Sequence, residues 1–526
     1  MSVTVTRQDP RYKALMKGHN LRFPANPAEG VDRIVLCESA DDAAVSLQAI
    51  VASGLRPTVR SGGHCYEDFV ANNPGGAILD LSLLNTVGAD SRTGEYLVAS
   101  GASLGEVYTE LYKRYALTLP AGSCGTVGAG GHISGGGYGL LSRLFGLSCD
   151  WVTAIDVLTV DANGKVVARR VDRVHDPGLF RALRGAGGGS FGIVTAFRFA
   201  SLPKAPLEVA EAMLEFPFDS MSEEQFIALM TAYGDYWETR GRDPDTWGLF
   251  AVFEVGARSR DRPLGLYVQF CQPDGTAKDL SVLHEFFDRF RAFNPNITSP
   301  SHHAPAKTQK SATGTKNPPA PYAVNVRPWF EATIAIGGGG GGGSRGKYKS
   351  AYMKRTFTPA ESKTIYRFFS GSSMAAQSSV ISIDSYGGAI NRPQLASETS
   401  IAQRGSVMKL QWQCYWRDPA EDAEHLRELD EFFTAIYTGE HVEAHHQGTP
   451  WGDRYEGCYM NYPDADMLRY PFWPQLFYGQ GELYPFLQQV KNTYDPNNIF
   501  HSAMSIRANA SKFEPEHTKN KQQQQP

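Results

Sequence analysis

Along the first two hundred residues, short apolar runs alternate with stretches whose apolar positions recur at helical spacing. "DRIVLCES" predicts a strand, and "DDAAVSLQAIVASG" predicts a helix opened by an Asp cap and closed by Gly54. "RPTVRSGGH" reads as a strand running into a glycine turn, "GAILDLSLL" and "EYLVASG" as further strands, and "LGEVYTELYKRY" as a helix. From about 205 to 445 the pattern changes. Long β runs such as "WGLFAVFEV", "PLGLYVQFCQ" and "SVMKLQWQCYW" alternate with amphipathic helices such as "SEEQFIALMTAYGDYWETRG" and "AEHLRELDEFFTAIYTG". This predicts an α+β protein whose middle region is a mostly antiparallel sheet covered by helices on one side.

Parity along two of these strands separates their faces. Lys409, Gln411, Gln413 and Tyr415 fall on one side, and Met408, Leu410, Trp412, Cys414 and Trp416 on the other. Ser382, Asp384 and Tyr386 likewise oppose Ile381 and Ile383. The polar side suits either a solvated outer face or the wall of a carbohydrate or aromatic pocket; the strands alone do not decide between them.

Composition narrows the class without naming a chemistry. Of 526 residues, 42% are hydrophobic and 20% charged, and the formal net charge is −4, so no basic nucleic-acid surface is indicated. No run reaches the roughly 18 apolar residues of a membrane span. The first twenty residues lack the apolar core of a secretory leader, which predicts a cytoplasmic protein; a leader already removed is the alternative. Seven scattered cysteines without CxxC spacing suggest neither a zinc site nor a disulfide framework, and the pairs His302–His303 and His445–His446 have no partners at metal spacing. The run Gly337 to Gly343 predicts a mobile loop, and the tail from 509 to 526 a disordered one.

Three glycine clusters in the first two hundred residues carry the candidate chemistry. "RSGGHCYEDF" places His64 after two glycines at a strand end, "PAGSCGTVGAGGHISGGGYG" places Cys124 in a still denser loop, and "LRGAGGGSFGIVTAFRF" runs into a strand. Such loops expose backbone N–H groups that can wrap an anion. No GxxxxGK[ST] is present, and no G-x-G-x-x-G opens a helix after a first strand with an acidic residue beyond it. One diphosphate ligand shared by the three clusters explains their recurrence.

These motifs resemble the flavin-attachment sites of the berberine-bridge-enzyme-like oxidases of the vanillyl-alcohol-oxidase superfamily. The likeness extends to "CYMNYPD" and "NTYDPNNIFHSAMSI", hence from about residue 10 to 508, and within the family is strongest to bacterial hexose and oligosaccharide oxidases of antibiotic pathways. The resemblance implies a split FAD-binding domain at 1–205 and 447–508 around a substrate domain at 206–446. It implies FAD bonded to His64 and Cys124. The diphosphate would lie on Arg60, Ser61, Gly62 and Gly63 and on the loop of Gly125, Gly128, Gly131, His132, Gly135, Gly136 and Gly137. Gly189, Gly192, Val194 and Asn461 would line the flavin, with Ser190 standing where the family often has Asn. Val127 occupies the position where a small residue accompanies oxidase rather than dehydrogenase behaviour. The polar sheet face of Lys409, Gln411, Gln413, Ser382 and Asp384 would then roof the flavin and meet substrate.

The same resemblance implies hydride transfer from an alcohol carbon, with O2 as final acceptor and H2O2 as product. A general base within about 2.6–3.2 Å of the hydroxyl is required. The YxNY motif offers Tyr459 and Tyr462, with Tyr462 preferred; three positions apart, they point to opposite faces if the segment is a regular strand. A free phenol near pKa 10 is a poor base at pH 7 unless a cation such as Lys409 favours phenolate. Tyr138, Tyr352 and Asp384 complete the candidate set. The implied substrate is a sugar, oligosaccharide or glycoside. The alternatives are an alcohol on a secondary metabolite, oxidised once or twice, and a flavin-carrying binding protein without turnover.

Overall fold

The computed structural model describes residues 2–508, apart from 27, 29, 260, 299–321 and 337–342. The glycine run up to Gly342, the tail and the pair His302–His303 lie outside the described residues. Two sheets form the first part of the chain. Val3–Thr6, Arg33–Leu36, Ala77–Asp80 and Pro57–Arg60 lie side by side in that order, the first pair antiparallel and the rest parallel. Val87–Ala89, Tyr96–Ala99, Ile193–Phe199, Ala154–Val160 and Val166–Asp172 make a second, antiparallel sheet. The helix Ala40–Ala52 joins them: Ala43, Leu47 and Ile50 share one apolar cluster with Leu79 of the first sheet and Leu158 and Val160 of the second. Its cap is not an aspartate. Ser39 Oγ accepts from the Asp42 N–H at 3.1 Å, and Asp41 and Asp42 fill the first turn, where their charge favours the helix dipole.

Among the described residues, the middle region is one ten-stranded sheet whose strand pairs are antiparallel. Met408–Trp416 sits near its centre, between Ser379–Ser385 and Arg345–Met353. The short strands Trp451–Gly452 and Tyr455–Glu456 extend this sheet, although the sequence grouped them with the C-terminal segment. Parity holds in the observed strands. Met408, Leu410, Trp412, Cys414 and Trp416 are buried under helices, the Trp412 ring lying 5.0 Å from Phe433 and Trp416 stacking on His425 at 4.7 Å. Truncating a fully buried aromatic of this kind costs about 3–5 kcal/mol. The opposite face turns Ser382, Asp384, Gln411, Gln413 and Tyr415 into a cavity between the large sheet and the glycine loops. The question left open by the strands is answered: this polar face is a pocket wall.

Candidate functional site

The cavity measures about 890 Å³, within the range of small-molecule and cofactor sites. Its floor is built by two glycine loops in backbone contact. A side chain on Gly62 would run into the Gly128 backbone, and one on Gly128 into Ser61 and Gly62, so both positions need glycine for the loops to cross. The crossing brings the two candidate attachment groups together. His64 Nε2 lies 2.9 Å and Cys124 Sγ 3.4 Å from one hydroxyl, Thr126 Oγ1. Burial lowers the His64 pKa to about 4, and the imidazole of His19, stacked on it at 3.6 Å, acts in the same direction. His64 is therefore neutral at pH 7 and keeps a lone pair for bond formation. A planar ring with two neighbouring electrophilic edge positions fits this pair, and the glycine backbones leave room for a diphosphate beyond it.

Arg60, Ser61, Gly62, Gly63, Val127, Gly128, Gly131, His132, Gly189, Gly192, Val194 and Asn461 all line the cavity. Gly125, Gly135, Gly136 and Gly137 do not. Gly125 uses its carbonyl to accept from Gly105 N–H at 2.9 Å, and side chains at Gly135, Gly136 and Gly137 would strike Asn461, Ile401 and Ser148. At Gly135, Gly136 and Gly137 the packing of the loops leaves no space for a side chain. The His132 pKa falls to about 4 through burial, then through Lys409, and its Nε2 accepts from the Gly122 N–H at 3.0 Å.

On the sheet side, Lys409, expected to meet substrate, does not line the cavity but is fully buried behind it, among Asp384, Tyr462, Tyr138 and Tyr459. Its Nζ lies 2.6 Å from Asp384 Oδ2, donates to Tyr462 Oη at 3.2 Å, and sits 4.6 Å from the centre of the Tyr138 ring. Register explains the meeting, since Asp384 is the direct cross-strand partner of Lys409. Burial, then the Asp384 carboxylate, pushes the Tyr462 phenol well above its ordinary value. Burial also raises Asp384, against the pull of Lys409. Tyr138 donates its hydroxyl to the Ser385 carbonyl.

Tyr459 and Tyr462 do not point to opposite faces. They lie in a turn, not a strand, with rings 4.9 Å apart and nearly perpendicular. The Tyr459 hydroxyl accepts from Gly137 N–H at 3.3 Å and from Asn461 Nδ2 at 3.0 Å. Tyr352, 1% exposed, stays off the cavity wall and packs edge-on behind Tyr459 at 6.0 Å. Gln413 binds Ser382 at 2.9 Å, and Gln411 donates to the Tyr66 hydroxyl at 3.1 Å. Tyr66 stacks face to face on Tyr348 at 3.6 Å, so an aromatic wall stands beside the reactive groups. Sequence reasoning passed over Tyr66, Tyr348, Thr126 and His19. Tyr66 and Thr126 were visible as near neighbours of His64 and Cys124; His19 carried no local signal.

Two family models match the chain, an FAD binding domain over residues 31–169 and "Berberine and berberine like" over 458–507. The aclacinomycin-N/aclacinomycin-A oxidase of Streptomyces galilaeus is 34% identical over 96% of this chain and 90% of its own length. The chain belongs to the berberine-bridge-enzyme-like family of FAD-linked oxidases. The hexose oxidase of Chondrus crispus is 31% identical over 96% of this oxidase and 94% of its own length. Among solved structures, the oxidoreductase of the terminal step of gilvocarcin biosynthesis, in complex with pregilvocarcin, superposes with a TM-score of 0.84 at 31% identity, covering 96% of this chain and all of the other. A glycopeptide hexose oxidase complexed with teicoplanin gives 0.83 at 30% identity, covering 96% and 99%. The oxidase is thus an FAD-dependent oxidoreductase with the α+β fold of its family. Among the described residues, no helix is long and apolar enough to cross a membrane.

Proposed function

We propose that the oxidase holds FAD through both His64 and Cys124 and oxidises an alcohol carbon of a sugar, oligosaccharide or glycoside. The observation that carries this reading is the meeting of His64 Nε2 and Cys124 Sγ on one hydroxyl, in the cavity that Tyr462 also lines. Bound FAD would supply the hydride acceptor, with O2 as the final electron acceptor and H2O2 as its product. Tyr462 takes the hydroxyl proton. The phenol is buried beside a carboxylate, which raises its pKa, so phenolate forms only with the help of a cation, and the Lys409 ammonium at 3.2 Å is placed to give it. Asp384 keeps Lys409 in place and accepts a substrate hydroxyl. Tyr459 and Asn461 fix the turn that carries Tyr462, Tyr138 lies under the ammonium, and Tyr352 backs Tyr459. Ser382, Gln411 and Gln413 offer the hydroxyl and amide groups that sugar hydroxyls pair with. That two of the relatives above are hexose oxidases supports a sugar.

The stacked pair Tyr66–Tyr348 favours a second reading in one respect: a flat aromatic natural product bearing the alcohol would lie well against it. An anaerobic flavin-bleaching screen over aldoses, oligosaccharides and glycosylated natural products separates the two. Tyr462→Phe is expected to slow flavin reduction by about 10²–10⁴. Unchanged reduction would remove Tyr462 from the role of base. A protein that binds every ligand tightly and never bleaches would be a carrier instead of an enzyme.

A further inference from the structure

The strand Arg345–Met353 does two tasks with alternate side chains. Toward the tyrosine turn, Tyr348 stacks on Tyr66, and Ser350 Oγ accepts the Tyr459 N–H at 2.9 Å. On the other face stand Lys347 and Lys349, with side chains 2% and 0% exposed. Lys347 Nζ lies 2.7 Å from Glu67 Oε1 and 2.7 Å from Asp464 Oδ1. Glu67 follows His64 by three residues, and Asp464 follows Tyr462 by two. One ammonium therefore joins the loop of the candidate attachment histidine to the turn of the candidate base. The Ala465 N–H donates to Glu67 at 3.2 Å and closes the same gap from the backbone.

Lys349 braces the second oxygen of Asp464 at 2.9 Å and reaches Asp466 at 2.7 Å and Asp430 at 2.9 Å. With Arg22 on Glu67 and Arg469 on Asp430, four cations meet four carboxylates, so the cluster is neutral and calls for no bound ion. Burial works against the charge of Lys347, but Asp464 and Glu67 overcome it and leave its pKa above the ordinary value. A buried charge of this kind tolerates loss of a partner poorly, which makes the cluster stiff.

We propose that Lys347 is a positioning residue that sets the distance between the flavin edge held by His64 and the base Tyr462. The inference rests on the function proposed above. Five variants test it: Glu67→Gln and Asp464→Asn, both close to isosteric, Lys347→Met, Lys347→Arg, and Asp430→Asn as control, since Asp430 pairs with Lys349 and Arg469 but not with Lys347. Two quantities are read, the fraction of peptides 61–92 and 115–143 carrying flavin and the anaerobic rate of flavin reduction. Glu67→Gln is expected to halve, or worse, the flavin on the His64 peptide while the Cys124 peptide keeps its own. Asp464→Asn is expected to keep both links and reduce at least tenfold more slowly. Lys347→Met should show both defects, and Lys347→Arg should restore the rate to within threefold. Asp430→Asn should match wild type within twofold. If Glu67→Gln and Asp464→Asn behave like Asp430→Asn, the inference is wrong. If Lys347→Met does not fold, the two carboxylate variants decide alone. Wild-type protein without covalent flavin would overturn the attachment reading instead, and the rate of Asp464→Asn against Asp430→Asn would still decide the placement of Tyr462.

Discussion

Replacing Lys409 by Met tests the base most sharply. The ammonium lies 3.2 Å from the Tyr462 oxygen, and its side chain is fully buried. At an effective dielectric constant of about 20, attraction between unit charges at that distance is about 5 kcal/mol. Converted at about 1.4 kcal/mol per decade, this is a ceiling of about 10⁴ on the phenolate fraction at fixed pH. Without Lys409 the phenol pKa rises further and the reactive form becomes rarer, so reduction slows. Asp384, already raised by burial, takes up a proton once its cation is gone, which removes part of the opposing field and keeps the effect below that ceiling. The assay is stopped-flow flavin bleaching at saturating substrate without oxygen, between pH 6 and 10. Lys409→Met is expected to reduce about 10²–10⁴-fold more slowly at pH 7, with its rate climbing only at higher pH than in wild type. A rate within threefold of wild type with an unmoved profile would refute a base activated by this lysine.

Asp384→Asn, whose amide oxygen still accepts from Lys409, should move the same profile the other way, because the carboxylate charge raises the Tyr462 phenol; a profile shifted to higher pH would contradict that sign. Trp412→Ala should lower unfolding stability by about 3–5 kcal/mol, read by denaturant titration, while flavin stays attached, since its ring faces the helices and not the cavity. His132 is held near pKa 4, below its value of about 6.5 in an unfolded chain, so the unfolded state binds the extra proton between those values. Stability is therefore full above pH 6.5 and declines as pH falls toward 4, and His132→Asn should flatten that decline in denaturant melts; an equal slope in both proteins would show that His132 is not its source.

The fold was legible where period and burial agree. The alternation of Lys409, Gln411 and Gln413 with Leu410, Trp412 and Cys414 gives the strand and both of its faces, and the tripled glycine loops mark where backbone must meet backbone. The family motifs supplied what composition lacks, the identity of the groups at His64 and Cys124. The misses have local causes. The helix at Ala40 took Ser39 as its cap because a serine just ahead of an acidic first turn outcompetes the aspartates within it. At Tyr459 and Tyr462 the condition for opposite faces, a regular strand, is not met, because the segment is a turn. Gly135, Gly136 and Gly137 stand off the cavity wall, and their lack of side chains answers to Asn461, Ile401 and Ser148. The cluster around Lys347 was hidden because its members come from five distant segments, around residues 22, 67, 347, 430 and 464, which meet only in the folded chain.

The most direct measurement is the mass of a tryptic digest made after acid precipitation of the purified protein. Cleavage at Arg60, Arg92, Arg114 and Arg143 leaves His64 and Cys124 on separate peptides, 61–92 and 115–143. A single species equal to both peptides joined through one flavin is the expected result. Two unmodified peptides, with the yellow colour left in the acid supernatant, would show that neither residue holds the cofactor covalently.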